Sequence, residues 1–197
     1  KNIITVEDPV EYKADNINQI QVNSKVGLTF ASGLRSILRQ DPDVIMVGEI
    51  RDGETAKIAI QSALTGHLVL STLHTNNATA AVTRLIDMDV EPYLITSTVV
   101  GVLAQRLVRV LCPYCKEDDH DSHLYEEEFG IDPNMRIYKP KGCSRCSHTG
   151  YSGRKAVGEL FVMDEAIKPH IKEGADDYKI REQAKALGMV SLQAQLF

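Results

Sequence analysis

Three short apolar runs, Ile3 to Val6, Val44 to Val47 and Leu68 to Leu70, set the terms on which this chain folds. Each is too short for a helix, and Val44 to Val47 is unbroken by any polar residue, so they read as strands buried on both faces, as in a parallel sheet. Segments with helical spacing follow them. Thr29 reads as the N-cap of a helix with Phe30, Leu34, Ile37 and Leu38 on its apolar face and Pro42 as its stop. Asp52 caps the next, with Ile58, Ala59, Ala63 and Leu64 in one stripe and Gly66 as a left-handed terminator. Asn77 caps a helix running to about Met88, and Ile95 to Leu111 is predicted as the longest helix. Strand alternating with helix implies parallel strands joined by crossover helices, an α/β fold.

Each run ends in polar residues: Glu7-Asp8, Gly48-Glu49, and Thr72 to Thr75 with His74 between. Crossover connections bring these ends to one edge of the sheet, the edge where open α/β sheets hold their ligands. The middle segment, RQDPDVIMVGEIRDGE from Arg39 to Glu54, is the most pointed. A carboxylate just past such a strand suits phosphate chemistry, which needs one to hold Mg²⁺, directly or through its waters, or to orient an attacking water. His67 reads as structural. Its odd separation from His74 would turn the two rings to opposite sides of a strand.

The chain has 197 residues, enough for one domain with a small appendage, and 43% of them are hydrophobic. A net charge of −5 argues against a nucleic-acid binder that relies on overall basicity. No stretch reaches the roughly 18 uncharged apolar residues of a membrane span. Ile95 to Leu111 comes nearest but is broken by Gln105, Arg106 and Arg109. No signal-peptide pattern opens the chain, so the expected setting is cytosolic. The start at Lys1 and the close at Leu196-Phe197, inside an expected helix, suggest a fragment of a longer protein.

From Cys112 to His148 the composition turns to charge, Gly, Pro and Cys. Cys112-Pro-Tyr-Cys115 and Cys143-Ser-Arg-Cys146 are two CxxC pairs. Two residues between cysteines let both sulfurs reach one ion, and two such turns complete the four-thiolate shell of structural zinc. That shell leaves no open position for water, so its role is to tie down an insert too small to fold alone. A redox or free-thiol set and an iron–sulfur centre are the alternatives. Beyond the insert, Lys155 to Met163 returns as a strand, and Asp164 to Glu173 and Tyr178 to Leu187 read as helices.

At this point the residues match a known family. ITVEDPVEY (Ile4 to Tyr12) resembles the Asp box of the bacterial secretion ATPases, which power type II secretion and type IV pilus assembly. LRQDPDVIMVGEIRDGETA (Leu38 to Ala56) is similar to their Walker B region, and TGHLVLSTLHTNNA (Thr65 to Ala78) to their His box. The CxxC pairs, followed by GYSGRKAVGE (Gly150 to Glu159), resemble the tetracysteine branch. The resemblance implies a RecA-like P-loop NTPase core, a mostly parallel sheet with helices on both faces. On that reading residues 1–111 are the core, 112–149 the zinc subdomain, 150–163 a return strand and 164–197 a helical tail.

The resemblance also implies roles. Glu11 matches the glutamate that activates or positions the attacking water, Glu49 the Walker B glutamate near Mg²⁺, and His74 the histidine that contacts the terminal phosphate. Glu7 and Asp8 belong to the same acidic box, on the nucleotide and Mg²⁺ side. Cys112, Cys115, Cys143 and Cys146 match the zinc ligands. The implied cofactors are ATP, Mg²⁺ and Zn²⁺. The implied setting is a cytoplasmic hexamer, peripheral on the inner membrane through a platform protein and a cytoplasmic adaptor, with no nucleic acid.

One departure is large. No G-x-x-x-x-G-K-[ST] occurs anywhere in the chain, and that loop carries most of the grip on the β- and γ-phosphates. The 197 residues alone are therefore expected to be inactive. Two other readings compete. A metallohydrolase or deaminase would need a zinc with one non-thiolate position. A zinc-ribbon interaction module without catalysis would need clustered basic residues or exposed aromatics to take nucleic acid. The insert is instead rich in acid, at Glu117, Asp118, Asp119, Asp121 and Glu126 to Glu128.

Overall fold

β1 (Ile3–Glu7), β2 (Asn18–Gln21), β3 (Val44–Val47) and β4 (Leu68–Ser71) form a parallel sheet in the order β2-β1-β3-β4. The computed structural model describes residues 1–119, 132 and 136–195. The expected acidic run at Asp121 and Glu126 to Glu128, and the closing Leu196-Phe197, lie outside the described residues.

The register aligns Ile4 with Ile45 and Val6 with Val47. These four are buried on one face. α1 (Phe30–Ile37) packs there against β1 and β3, and α2 (Gly53–Leu64) against β4. Leu34 and Ile37 of α1 are fully buried, each stabilising by about 1.5–3 kcal/mol relative to exposure. Thr29 caps α1 reciprocally with Ser32, and Asp52 caps α2 by accepting the Thr55 amide at 2.8 Å. Gly66 takes the left-handed conformation after α2, at φ +102°, as its sequence position implies.

On the second face burial falls across the sheet. Thr5 of β1 is 4% exposed, whereas Leu68 and Leu70 of β4 are 52% and 51% exposed. Burial on both faces, expected for all three runs, therefore fails at β4. The cause is its place at the sheet edge, with no strand beyond it among the described residues.

The expected long helix over Ile95 to Leu111 is wrong. A short helix, α4 (Pro92–Thr98), stops where Val99 turns extended at ψ 120°, and the chain continues as the 11-residue strand β5 (Gly101–Leu111). Val99, Val100, Val102, Val108 and Val110 are β-branched and favour that state. β5 pairs with β8 (Tyr151–Val162). The Cys112 amide bonds the Gly150 carbonyl at one end and the Met163 amide the Val100 carbonyl at the other, so the two strands run in opposite directions.

The described chain divides into two compact units. The first, Lys1–Val102 with Phe161–Leu187, holds the parallel sheet and α1 to α4. α3 spans Ala80–Asp87, and the C-terminal helices α5 (Lys168–Lys172) and α6 (Asp177–Ala186) belong here too. The second, Leu103–Leu160 with Gly188–Phe197, holds the cysteine pairs and a small antiparallel pair, β6 (Glu117–Asp118) with β7 (Tyr138–Lys139). Within it the fully buried Glu159 carboxylate accepts the Leu192 amide at 3.1 Å.

Gly53, the first residue of α2, abuts the end of α3: a Cβ there would lie 2.6 Å from the Met88 carbonyl oxygen. Gly53→Ala should lower stability by about 1–3 kcal/mol, read as a lower urea midpoint. An unchanged midpoint would refute this close approach.

Candidate functional site

Backbone hydrogen bonds across the sheet fix where Glu49 stands. The Gly48 amide donates to the Val6 carbonyl at 2.8 Å, and the Ile50 amide to the Thr72 carbonyl at 3.0 Å. The Thr72 hydroxyl closes the clamp by donating to the Gly48 carbonyl at 2.7 Å. Glu49 therefore sits between the C-terminal ends of β1 and β4. Gly48 allows a close approach there: a Cβ would come within 3.3 Å of the Val6 carbonyl oxygen.

A guanidinium and an imidazole converge on the Glu49 carboxylate, which is 15% exposed. Arg51 Nη2 lies 2.5 Å from Oε1, and His74 Nε2 lies 3.3 Å from Oε2. Arg51 also reaches Asp8 Oδ2 at 3.8 Å and lies over the Phe30 ring at 5.9 Å. The Arg51 hydrogen bond is the main influence holding the Glu49 carboxyl below its ordinary 4.5. Partial burial opposes it, and the Arg51 and His74 charges add to the lowering. An open cleft of about 800 Å³ adjoins this edge, with Asp8, Lys25, Phe30, Arg51 and Asp52 among its walls.

The residues expected at the site are not all drawn together. Glu49, His74 and Asp8 meet around Arg51. Glu7 turns elsewhere: its Oε1 accepts from the Thr5 hydroxyl at 2.5 Å and the Gln19 amide at 3.0 Å, tying β1 to β2. Glu11 lies on the exposed loop between β1 and β2 and makes no hydrogen bond or ion pair among the described residues. That loop is held at its base by Gln19, which donates to the Tyr12 carbonyl and accepts the Ala14 amide. His67 is structural, with Nδ1 3.0 Å from the Ser62 carbonyl at the end of α2. Arg51 carried no role in the sequence reading. Its signal was its place two residues past Glu49, since alternate residues share a side on extended backbone.

The four cysteine sulfurs lie within 4.8 Å of one another. Cys146 Sγ is 3.8 Å from Cys115 Sγ and 3.9 Å from Cys143 Sγ. A tetrahedral ion with metal–sulfur bonds of about 2.3 Å sets sulfurs about 3.8 Å apart, so the spacing fits a bound metal. The Cys143 amide donates to Cys146 Sγ and, with the Gly150 amide, pulls that thiol down to about 6, while burial pushes Cys115 up to about 12. Tyr114 and Arg145, one from inside each CxxC, stack across the knot at 4.1 Å.

Comparison with known proteins decides the family. A model described as "Type II/IV secretion system protein" matches residues 1–195. The chain belongs to that family. It is 54% identical over 192 residues to type II secretion system protein HxcR of Pseudomonas aeruginosa, covering 98% of this chain and 38% of that protein. It is 52% identical over 197 residues to type IV pilus assembly ATPase PilB of Thermus thermophilus, covering 98% of this chain and 22% of that protein. The chain thus spans between about a fifth and two fifths of the length of these two relatives. Among solved structures it resembles the pilus retraction motor PilT with bound ADP, with a TM-score of 0.68 and 29% identity over 99% of this chain and 47% of that one. This places the chain in the RecA-like α/β fold expected from its motifs. No helix among the described residues is long and apolar enough to cross a membrane.

Because its pKa is lowered, Glu49 contributes stability that is full above its ordinary 4.5 and is lost as pH falls through the lowered value. Arg51→Ala should move the Glu49 titration midpoint upward, as followed by carboxyl carbon NMR. An unmoved midpoint would remove Arg51 as the main cause.

Proposed function

We propose that this chain is the part of a motor ATPase that carries the Walker B and His-box side of the nucleotide site. The motor would drive type II secretion or type IV pilus assembly. The observation that carries the reading is the meeting of Glu49 and His74 at the C-terminal edge of a parallel sheet, 3.3 Å apart. Phosphoryl transfer needs charge neutralisation, placement of a water and donors to the equatorial oxygens. Glu49 is the group for Mg²⁺ and its waters. His74 Nε2 is the donor toward the terminal phosphate, and its 87% exposed side chain leaves it open to one. Asp8, held by Arg51, supports the same edge. Glu11 is the proposed base, and its exposed loop has to close toward Glu49 for it to act. Glu7 supports the β1–β2 pairing that carries that loop.

The phosphate grip comes from a loop absent from these 197 residues, so the chain alone is expected not to turn over ATP. The proposed assembly is a cytoplasmic hexamer, docked through an inner-membrane platform protein and an adaptor. The four thiols are proposed to hold structural Zn²⁺. The 3.8 and 3.9 Å separations at Cys146 support that choice, as does the preference of thiolates for zinc over magnesium.

In the full-length protein, Glu49→Gln and His74→Ala should each lower kcat by about a hundredfold or more, measured by phosphate release. Full activity in either variant takes that residue out of the proposal. Metal analysis of the purified protein should find one Zn per chain and less than half of that in Cys143→Ser. A stoichiometry untouched by the substitution argues against the four-thiolate site.

A further inference from the structure

His74 stands on a short span between two anchors. The first is Thr72, clamped to Gly48 and Ile50. The second is formed by Asn77 and Thr79, and it reaches across 100 residues of sequence to Asp177, the first residue of α6. The Asn77 side-chain amide donates to Asp177 Oδ2 at 3.1 Å, and the Thr79 hydroxyl donates to Asp177 Oδ1 at 2.5 Å. Asn77 Oδ1 meanwhile accepts the amide of Ala80, the first residue of α3, at 2.7 Å. Thr79 is fully buried, so its hydroxyl needs a partner. Only Leu73, His74, Thr75 and Asn76 lie between the anchors.

A carboxylate at a helix N-terminus favours its own helix, but that service is already given by Asp176, whose side chain accepts the Lys179 amide at 2.9 Å. Asp177 instead uses both oxygens on the far segment. We propose that Asp177 is a positioning residue: it holds the distal end of the His74 span and so fixes the imidazole against Glu49. The proposal rests on the role given to His74 above. Without Asp177 the distal end loses its tie to α6 and keeps local bonds such as those of Asn77 to the Ala80 amide and of the Thr75 hydroxyl to the Asn77 carbonyl, so the imidazole is held less firmly relative to the terminal phosphate. Nucleotide affinity, carried elsewhere, is untouched.

The donor pattern supplies its own rescue. Asn77→Asp sets two carboxylates against each other where an amide met a carboxylate. Adding Asp177→Asn restores one donor between the two positions. In that double variant the carboxylate now at position 77 still caps Ala80, and the side-chain carbonyl now at position 177 still accepts from Thr79. In the full-length protein, Asn77→Asp and Asp177→Ala should each lower kcat on the order of tenfold, with KM for ATP within about twofold of wild type. The double variant should recover kcat to within about twofold. Hydrogen exchange at the amides of residues 73–76 should speed in both single variants and slow again in the double. A purely structural contact would lower the melting temperature of the single variants while leaving kcat at the wild-type value, and that result overturns the proposal. So does a double variant as slow as Asn77→Asp, or exchange that none of the changes alters. Wild-type kcat in His74→Ala would instead overturn the role of His74 and leave the anchor to be judged by exchange alone.

Discussion

The in-register parallel pairing of β1, β3 and β4 is the constraint on which the rest depends. Strands that run the same way end at the same edge, so side chains 40 or 60 positions apart reach one place without any loop having to carry them. The pairing continues past the end of β3, through Gly48 on Val6 and Ile50 on Thr72. Glu49 is the residue left between those two bonds, and its carboxylate has little choice of direction. A slip of one residue would turn every side chain of β3 to the other face and send Ile45 and Val47 out of the core. Core packing and site geometry are therefore the same requirement.

Electrostatics completes the site. A half-buried carboxylate at the end of a sheet is costly to leave alone. Arg51 answers that cost and also links Glu49 to Asp8. The cysteine knot is a separate device in the second unit. There the sulfurs are gathered by two tight turns, and amides pointed at Cys146 stabilise its thiolate.

Much of this was legible in the residues. Thr29, Asp52 and Gly66 marked helix ends because capping chemistry is local, whereas Asn77 was two residues early, the N-cap of α3 being Thr79. The runs at Val44 and Ile3 marked strands because no other element suits so short an apolar run between polar ends. Ile95 to Leu111 misled because a continuous apolar stretch does not itself distinguish a helix from a strand, and its partner, β8, lies some 50 residues on. β2 went unread because NQIQ is polar, held by pairing with β1 and the Gln19 side chain rather than by hydrophobicity. Glu7 was grouped with the site by its place at the strand end and in the acidic box, whereas its side chain bonds Thr5 and Gln19. The Asp177 anchor had no sequence signal, since nothing local in α6 refers to residue 77.

The most direct test of the account is a crystal structure of the full-length protein with Mg²⁺ and a non-hydrolysable ATP analogue. Glu49 should lie within reach of the Mg²⁺ or of one of its bound waters, and His74 Nε2 within hydrogen-bond distance of the terminal phosphate, about 2.7–3.2 Å. A nucleotide bound at any other edge of the sheet, with Glu49 still closed on Arg51 and remote from the phosphates, would contradict it.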